Sequence, residues 1–142
     1  MHQALAGVTV GDELPERRVG PLTRMDFARF SVSTDDPNRV HIEEAVATGA
    51  GLPDVIGSGG IVAGLLTDLV TSWGGLDALR SATLRVTAPL FPGTVLLARG
   101  NVVRRDDGGE GVVEVEASAV DAGGNRIGEG TFLLRLRPEE PS

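Results

Sequence analysis

Cysteine is absent from the 142-residue chain, and histidine is nearly absent, with only His2 and His41. Without cysteine the chain forms neither disulfides nor a thiolate nucleophile, and cysteine-based metal sites are excluded. Two histidines, one of them in the first residues of the chain, are too few for a multi-histidine metal site. We therefore expect no bound metal, and the lack of cysteine fits a cytoplasmic protein.

Lysine is also absent, so the thirteen basic residues are all arginine against twenty acidic residues, and the net charge is −7. This charge disfavours non-specific nucleic-acid binding, which needs a basic surface for the phosphates. A membrane span is not expected either, because glycine, threonine and aspartate interrupt the longest apolar-rich stretch, residues 56–73. The first residues lack the basic and apolar regions of a secretory signal, which again favours a cytoplasmic protein.

That apolar-rich stretch predicts a long central helix. Ser58 is a suitable N-cap, and Gly74 and Gly75 are a stop signal. The residues between them are apolar on nearly every face, so the helix should be buried nearly all round. Asp68 is its one charged residue. It either lies on a narrow exposed strip or, if buried, needs a partner.

After this helix the apolar pattern changes to a period of two. Turn-forming residues separate four predicted strands, at residues 81–88, 94–105, 111–121 and 126–137. An extended segment at residues 8–22 makes about five strands, and short links favour antiparallel pairing of consecutive strands.

Two shorter helices are predicted upstream of the central one. Thr23 and Asp26 predict a capping box at the start of a helix that runs to about Ser33. Residues 43–48 predict one or two further helical turns. The whole chain, residues 1–142, is therefore interpreted as one α+β domain, with residues 1–7 and 138–142 frayed.

Candidate catalytic residues lie in the turn after the first helix, between Asp36 and His41. A carboxylate and an imidazole five residues apart can both hold one water, which suits general acid–base chemistry. Taken alone, such a pair is more often an Asx-turn and a surface imidazole. Asn38 is expected to bond the turn backbone and so to position Asp36. Asp35 is interpreted as a solvated neighbour, because the spacing to His41 fits Asp36.

This segment, DPNRVH, resembles the D-x-N-P-x-H signature of the MaoC-like dehydratases and (R)-specific enoyl-thioester hydratases. The resemblance continues in family order over residues 9–137, from VGDELPE through residues 45–51 and 56–59 to APLFPGT. Within the family, the chain looks most like the dehydratases of mycolic-acid elongation and the small hydratases of steroid side-chain breakdown. The resemblance implies a hot-dog fold, in which a five-stranded antiparallel sheet wraps around one long buried helix.

The resemblance also implies a lyase reaction of lipid metabolism. Water adds across the double bond of a trans-2-enoyl thioester to give a (3R)-hydroxyacyl thioester, or leaves in the reverse reaction. Asp36 would activate the water, and His41 would share that water and donate or relay a proton. Backbone N–H groups of Ser58 and Gly59, where the central helix starts, would stabilise the thioester oxygen. No cofactor is implied, because coenzyme A or a carrier's phosphopantetheine belongs to the substrate.

Three positions depart from the family pattern. Arg39 stands where proline is usual, Ser58 where histidine is usual, and Val62 where a serine or threonine is often found. The backbone groups that would bind the thioester oxygen do not depend on these side chains. The departures therefore bear on substrate range and rate more than on reaction type.

The resemblance further implies a dimer, formed with an identical chain or with a second hot-dog subunit that lacks the Asp–His pair. Two other functions stay open. A hot-dog acyl-thioesterase would place its carboxylate on the central helix, where Asp68 is the sole candidate but lies deep in the helix. A structural or binding subunit of a hetero-oligomeric hydratase would catalyse nothing. The acyl group, and whether the substrate is an acyl-CoA or an acyl carrier protein, are not determined.

Overall fold

The structure, a computed structural model, describes residues 5–136, which form three α-helices and one five-stranded sheet. The elements in chain order are β1 (Arg17–Val19), α1 (Arg24–Ser33), α2 (Glu44–Gly49), α3 (Gly59–Gly74), β2 (Leu79–Val86), β3 (Leu96–Asp106), β4 (Val112–Val120) and β5 (Arg126–Arg135). The two ends expected to fray are residues 1–7 and 138–142, and apart from residues 5–7 they lie outside the described residues. The remainder, Leu5–Gly7, forms a 3₁₀ turn in which Leu5 is buried.

The strand order is β1-β3-β4-β5-β2, and every neighbouring pair is antiparallel. Strands β3, β4 and β5 form a meander, as their short turns predict. The expected pairing of consecutive strands is wrong for β2, which pairs with β5 and not with β3. The link between β2 and β3 instead crosses past β5 and β4, which lie between those two strands in the sheet, and Leu90 at its centre is buried in the core.

Helix α3 packs on the inner face of the sheet, and the predicted α+β hot-dog arrangement is confirmed. Its buried residues are Val62, Leu66, Leu69, Val70, Trp73 and Gly74. The expectation that α3 is buried nearly all round is wrong for the described chain, because Gly60, Gly64 and Asp68 form an exposed strip along it. The sheet covers only one side of the helix. Asp68 lies in that strip and accepts a hydrogen bond of 2.6 Å from Arg17.

Helix α1 begins with the predicted capping box. The Thr23 hydroxyl accepts from the Asp26 N–H, and the Asp26 carboxylate accepts from the Thr23 N–H. These bonds lower the pKa of Asp26, the backbone N–H of Thr23 being the larger cause. Phe27 on the next turn is fully buried and holds α1 against the segment that leads into α3. In residues 5–136 no helix is both long and apolar enough to cross a membrane.

Candidate active site

The C-terminal end of α1 delivers Asp36 to the site. Its N–H donates to the Ser31 carbonyl at 2.9 Å, and the preceding Asp35 has a left-handed backbone with φ of 53°. A helix closed by a left-handed residue and a bond from the next residue back into the helix turns the chain sharply. The Asp36 side chain is 26% exposed, so it can still meet solvent or a substrate.

Asn38 stabilises the turn that follows. The Asn38 N–H donates to Asp36 Oδ1 at 3.1 Å, and Asn38 Oδ1 accepts from the Val40 N–H at 3.1 Å. The second bond caps the 3₁₀ turn Arg39–His41. Asn38 therefore makes the side-chain-to-backbone bond that the sequence predicts, and it also orients the Asp36 carboxylate through its own N–H.

His41 is buried, and its two ring nitrogens contact different parts of the chain. Nδ1 lies 2.7 Å from the Ile56 carbonyl oxygen, and Nε2 lies 3.1 Å from Asp36 Oδ2. Because a carbonyl oxygen only accepts, Nδ1 must carry a proton and donate it to Ile56. This bond fixes the orientation of the ring and directs Nε2 at the carboxylate.

The contact between His41 Nε2 and Asp36 Oδ2 needs a proton of its own. With Nδ1 protonated, a neutral ring presents a lone pair at Nε2, and an ionised carboxylate presents only lone pairs. Two acceptors do not form a hydrogen bond, so the 3.1 Å contact is a hydrogen bond only when one proton is present, on the ring or on the acid. The pair is thus suited to take up one proton and release another, which is the requirement of general acid–base catalysis.

The start of α3 lies close to this pair. Ile56, which holds the His41 ring, is two residues before Ser58, the N-cap of α3. The Ser58 hydroxyl accepts from the Gly60 N–H at 3.2 Å. Within residues 5–136 the Gly59 N–H has no hydrogen-bond acceptor, as expected for the first residue of a helix. A free donor at a helix N-terminus is suited to bind developing negative charge.

The glycines at this helix start allow close packing. A Cβ on Gly57 would lie 2.8 Å from Leu90 and 2.9 Å from Phe27, so any larger residue would have to displace these side chains. Gly57 also donates its N–H to the Leu90 carbonyl at 2.7 Å. A Cβ on Gly59 would lie 3.0 Å from Val86 Cγ2 at the end of β2. The link between β2 and β3 and the end of β2 therefore lie next to the helix start that carries the free Gly59 N–H.

Arg39, which stands where the family pattern has proline, is exposed and bound to Glu43 at 2.5 Å. Its hydrogen bond is the main cause that lowers the pKa of Glu43. An exposed ion pair of this kind adds little stability. With arginine in place of proline at position 39, the turn geometry depends on Asn38 and on the bonds around Asp36.

A large groove lies elsewhere, on the outer face of the sheet. It measures about 530 Å³ and crosses β3, β4, β5 and β2. Its polar lining includes Arg85 and Arg126, which both bind Glu129, and Arg99, which binds Glu16. The sheet separates this groove from α3, so it does not contain the Asp36–His41 pair. In the described residues no group of three or more His, Asp or Glu side chains is placed to hold a metal ion.

Two contributors to the site were missed in the sequence analysis. The Ile56 carbonyl sets the protonation of the His41 ring, but no sequence signal marks a backbone acceptor fifteen residues away. Asp35 was interpreted only as a solvated neighbour, whereas its backbone closes α1. Its position directly after the last helical turn, where glycine or asparagine is usual, is a signal that could have identified it.

An antiparallel sheet around one helix defines a hot-dog domain, and the Asp36–His41 pair beside the helix start is its candidate site. Residues 6–123 match the family model described as the MaoC like domain, and the chain belongs to this family. The predicted family is thereby confirmed. Comparison with curated protein sequences gives no significant match.

Solved structures show the same fold. A MaoC-like dehydratase superposes with a TM-score of 0.85 at 28% identity, over 94% of this chain and 42% of its own, so the chain spans less than half of that protein. R-hydratase PhaJ1 from Pseudomonas aeruginosa gives 0.82 at 22% identity, over 98% of this chain and 88% of its own. The ChsH1–ChsH2 complex from Mycobacterium tuberculosis gives 0.79 at 24% identity, over 91% and 98%. The chain is therefore a MaoC-like domain by family and a hot-dog domain by fold.

Proposed function

We propose that this chain catalyses the hydration of trans-2-enoyl thioesters to (3R)-hydroxyacyl thioesters, or the reverse dehydration. The observation that carries the proposal is the 3.1 Å contact between Asp36 Oδ2 and His41 Nε2, with Nδ1 held by the Ile56 carbonyl. A pair that shares one proton matches a reaction that takes one proton from water and gives one to carbon. Membership of the MaoC-like family and the R-hydratase neighbour support this choice.

In the proposed reaction, Asp36 takes a proton from water while the water oxygen bonds to the β-carbon. The electrons of the double bond move towards the thioester carbonyl, and the α-carbon receives a proton from His41 Nε2. Proton transfer from Asp36 to Nε2 then restores the starting state. The pair begins and ends with a single proton, so no external acid or base is consumed.

The developing charge on the thioester oxygen needs a hydrogen-bond donor. We assign this role to the backbone N–H groups of Ser58 and Gly59, because the Gly59 donor is free and the helix dipole favours negative charge there. The absence of a Cβ on Gly59 lets a carbonyl approach closely. The Ser58 hydroxyl caps the helix and is not required in the reaction.

The test is the loss of enoyl absorbance when purified protein is added to trans-2-enoyl-CoA thioesters ranging from short-chain to steroid-like. Hydration by the wild type that is lost in both Asp36→Asn and His41→Ala supports the proposal. No hydration of any substrate, including carrier-bound ones, by folded protein would refute it. The same panel identifies the acyl group, and repeating it with carrier-bound substrates identifies the thioester donor.

The thioesterase alternative receives no support from Asp68. This residue lies nine positions after Gly59, roughly 14 Å along the helix axis. It is exposed and bound to Arg17 at 2.6 Å. Release of free thiol from acyl-CoA, unaffected by Asp36→Asn, would favour a thioesterase. A purely structural subunit would show neither reaction.

We further propose that the working unit is a dimer of two hot-dog subunits, and that β2 is the edge where they meet. The inner face of β2 is apolar but open, with Leu84 36% and Val86 46% exposed. Val86 borders Gly59, so this open face continues to the site. Two antiparallel β2 strands centred on Thr83 would place Ala82 opposite Leu84 and would bring no like charges together. This self-complementarity favours identical chains.

Sedimentation of the purified chain at micromolar concentration tests the dimer. We expect a dimer that Leu84→Glu dissociates. The matched control is Val32→Glu, the same kind of change at a 78% exposed position on α1, and it should leave the dimer intact. A stable monomer would contradict the homodimer and would point to a different subunit, as in the ChsH1–ChsH2 complex.

The proposal includes no metal or redox cofactor, since the acid–base pair and the backbone donors account for every step. Hydration should therefore be unchanged after dialysis against a chelator. We also propose that the reaction takes place in the cytoplasm, as expected for a chain without cysteine. Detection of the tagged protein outside that compartment would contradict this part.

A further inference from the structure

Asp35 has a backbone conformation that non-glycine residues rarely adopt. Its φ is 53°, and among the described residues every other residue with a positive φ is glycine. The left-handed region brings Cβ too close to the following carbonyl in L-residues, although aspartate and asparagine tolerate it better than most. Strained backbone conformations are concentrated at functional sites, and Asp35 is adjacent to the catalytic candidate Asp36.

The hydrogen bonds around Asp35 are those of a closed helix end. The Asp35 N–H donates to Val32 at 3.3 Å, and the Asp36 N–H donates to Ser31 at 2.9 Å. Such paired bonds need a left-handed residue at the first position beyond the cap. The Thr34 hydroxyl and N–H both donate to the Phe30 carbonyl, at 2.7 and 3.0 Å, which further fixes the turn.

The two halves of the catalytic pair are held by different parts of the chain. His41 is anchored to Ile56, in the segment before α3, and this bond does not involve the end of α1. Asp36 is held from α1 through the Asp35 turn, together with the Asn38 N–H. The 3.1 Å contact between them therefore requires that the turn deliver Asp36 in the right direction.

We propose that Asp35 is a positioning residue for the Asp36–His41 pair, and that it acts through its left-handed backbone and not through its carboxylate. A residue that leaves this region rotates the Asp36 N–H away from Ser31. The carboxylate then moves away from Nε2 while the imidazole stays in place. This inference rests on the proposed function in that hydration is one of its two readouts.

The test compares Asp35→Gly and Asp35→Asn, which tolerate a positive φ, with Asp35→Ala and Asp35→Val, which do not. We expect Gly and Asn to retain kcat within about twofold, because the conformation is kept. Ala and Val should lower kcat by about 10- to 100-fold with little change in KM, since a displacement of about 1 Å is enough to cause such a loss. Val should have the larger effect, because β-branched residues are the least tolerant of this region.

The control for a general loss of stability is Thr23→Ala, which weakens the other end of the same helix. It should lower the melting temperature and leave kcat unchanged well below melting. If Gly and Asn lose as much activity as Ala, the carboxylate itself acts and the inference is wrong. Full kcat in Asp35→Val would also overturn it.

A second readout does not require activity. The sequence has only two histidines, so the ¹⁵N signals of the His41 ring are readily assigned. We expect the Nε2 signal to shift in Asp35→Val and to stay at the wild-type position in Asp35→Gly, while the Nδ1 signal is unchanged in both. An unshifted Nε2 in Asp35→Val refutes the positioning role. If the Nε2 signal shifts as expected but the wild type hydrates no substrate, the proposed reaction is refuted and the positioning role of Asp35 is not.

Discussion

Replacement of Asp36 by asparagine should separate catalysis from folding in this protein. Asparagine has the same shape as aspartate, and its amide oxygen can still accept the Asn38 N–H that now lies 3.1 Å from Oδ1. The amide nitrogen then takes the place of Oδ2, 3.1 Å from His41 Nε2. With Nδ1 protonated and bound to Ile56, Nε2 accepts a hydrogen bond from this amide. No polar group in the pair is left without a partner.

The expected effects on stability and rate differ strongly in size. Because each hydrogen bond is replaced, the free energy of unfolding should change by less than about 1 kcal/mol. For a domain of this size that is a shift in melting temperature of at most about 5 °C. Loss of the proton-transferring group should lower kcat/KM by about 10²- to 10⁴-fold. Such a loss corresponds to about 2.7–5.4 kcal/mol in the activation barrier.

The assay combines thermal unfolding with enoyl-CoA hydration on the same preparations. Asp68→Asn is the matched control, because the same chemical change there removes only an exposed ion pair to Arg17. That variant should lose less than about 1 kcal/mol of stability and no activity. If folded Asp36→Asn retains more than a tenth of the wild-type rate, Asp36 is not the base. If it instead melts far below the wild type, the isosteric replacement argued from the 3.1 Å contacts is wrong.

Three further predictions concern the helix start, the sheet and the pH dependence. Gly59→Ala places a methyl group 3.0 Å from Val86 at the end of β2. Steady-state kinetics should show a loss of about 10- to 1000-fold in kcat at nearly unchanged stability, and an unchanged kcat would show that Gly59 is not part of the site. Gly128→Ala adds a Cβ that overlaps the Val62 side chain, so denaturant unfolding should show a loss of about 1–3 kcal/mol in the free energy of unfolding. Adding Val62→Ala in the same chain should largely relieve this loss, and additive losses in the double variant would contradict the packing. Asp26 has a lowered pKa in the folded state, so its contribution is present above its unfolded pKa and is lost as pH falls through the folded pKa. Asp26→Asn should therefore flatten the fall in melting temperature on acidification, and an unchanged slope would show that the capping bonds to Thr23 do not form.

The sequence alone indicates much of the secondary structure. The cap at Ser58 and the glycine stop after Trp73 predict α3 to within a residue, and the Thr23–Asp26 capping box appears as expected. Predicted strands and observed strands β2 to β5 overlap, with ends that differ by at most two residues. Such features depend on neighbours within a few residues, so the local sequence is sufficient. The extended segment at residues 8–22 is strand only in part: Arg17–Val19 pairs with β3, and Glu13 forms an isolated bridge to Asn101 of the same strand.

The candidate site is divided in the same way. The spacing of Asp36 and His41 and the turn chemistry of Asn38 can be recognised from adjacent residues, and the family resemblance follows from them. The sequence contains no signal for the contact between His41 and the Ile56 carbonyl, because that bond forms only when the Arg39–His41 turn and the segment before α3 come together in the fold. The left-handed conformation of Asp35, in contrast, depends on local bonds that close α1, and its position directly after the last helical turn is a sequence signal for it.

Local patterns therefore determined the helix ends, the meander of β3 to β5 and the identity of the acid and the imidazole. The tertiary structure decided that β2 pairs with β5 at an open edge, that α3 keeps an exposed strip, and that Nε2 of His41 points at Asp36. The physical reason is the range of the interactions. Caps, turns and periodicity involve residues a few positions apart, whereas strand order and ring orientation depend on contacts between segments that are distant in the chain and meet only in the folded core.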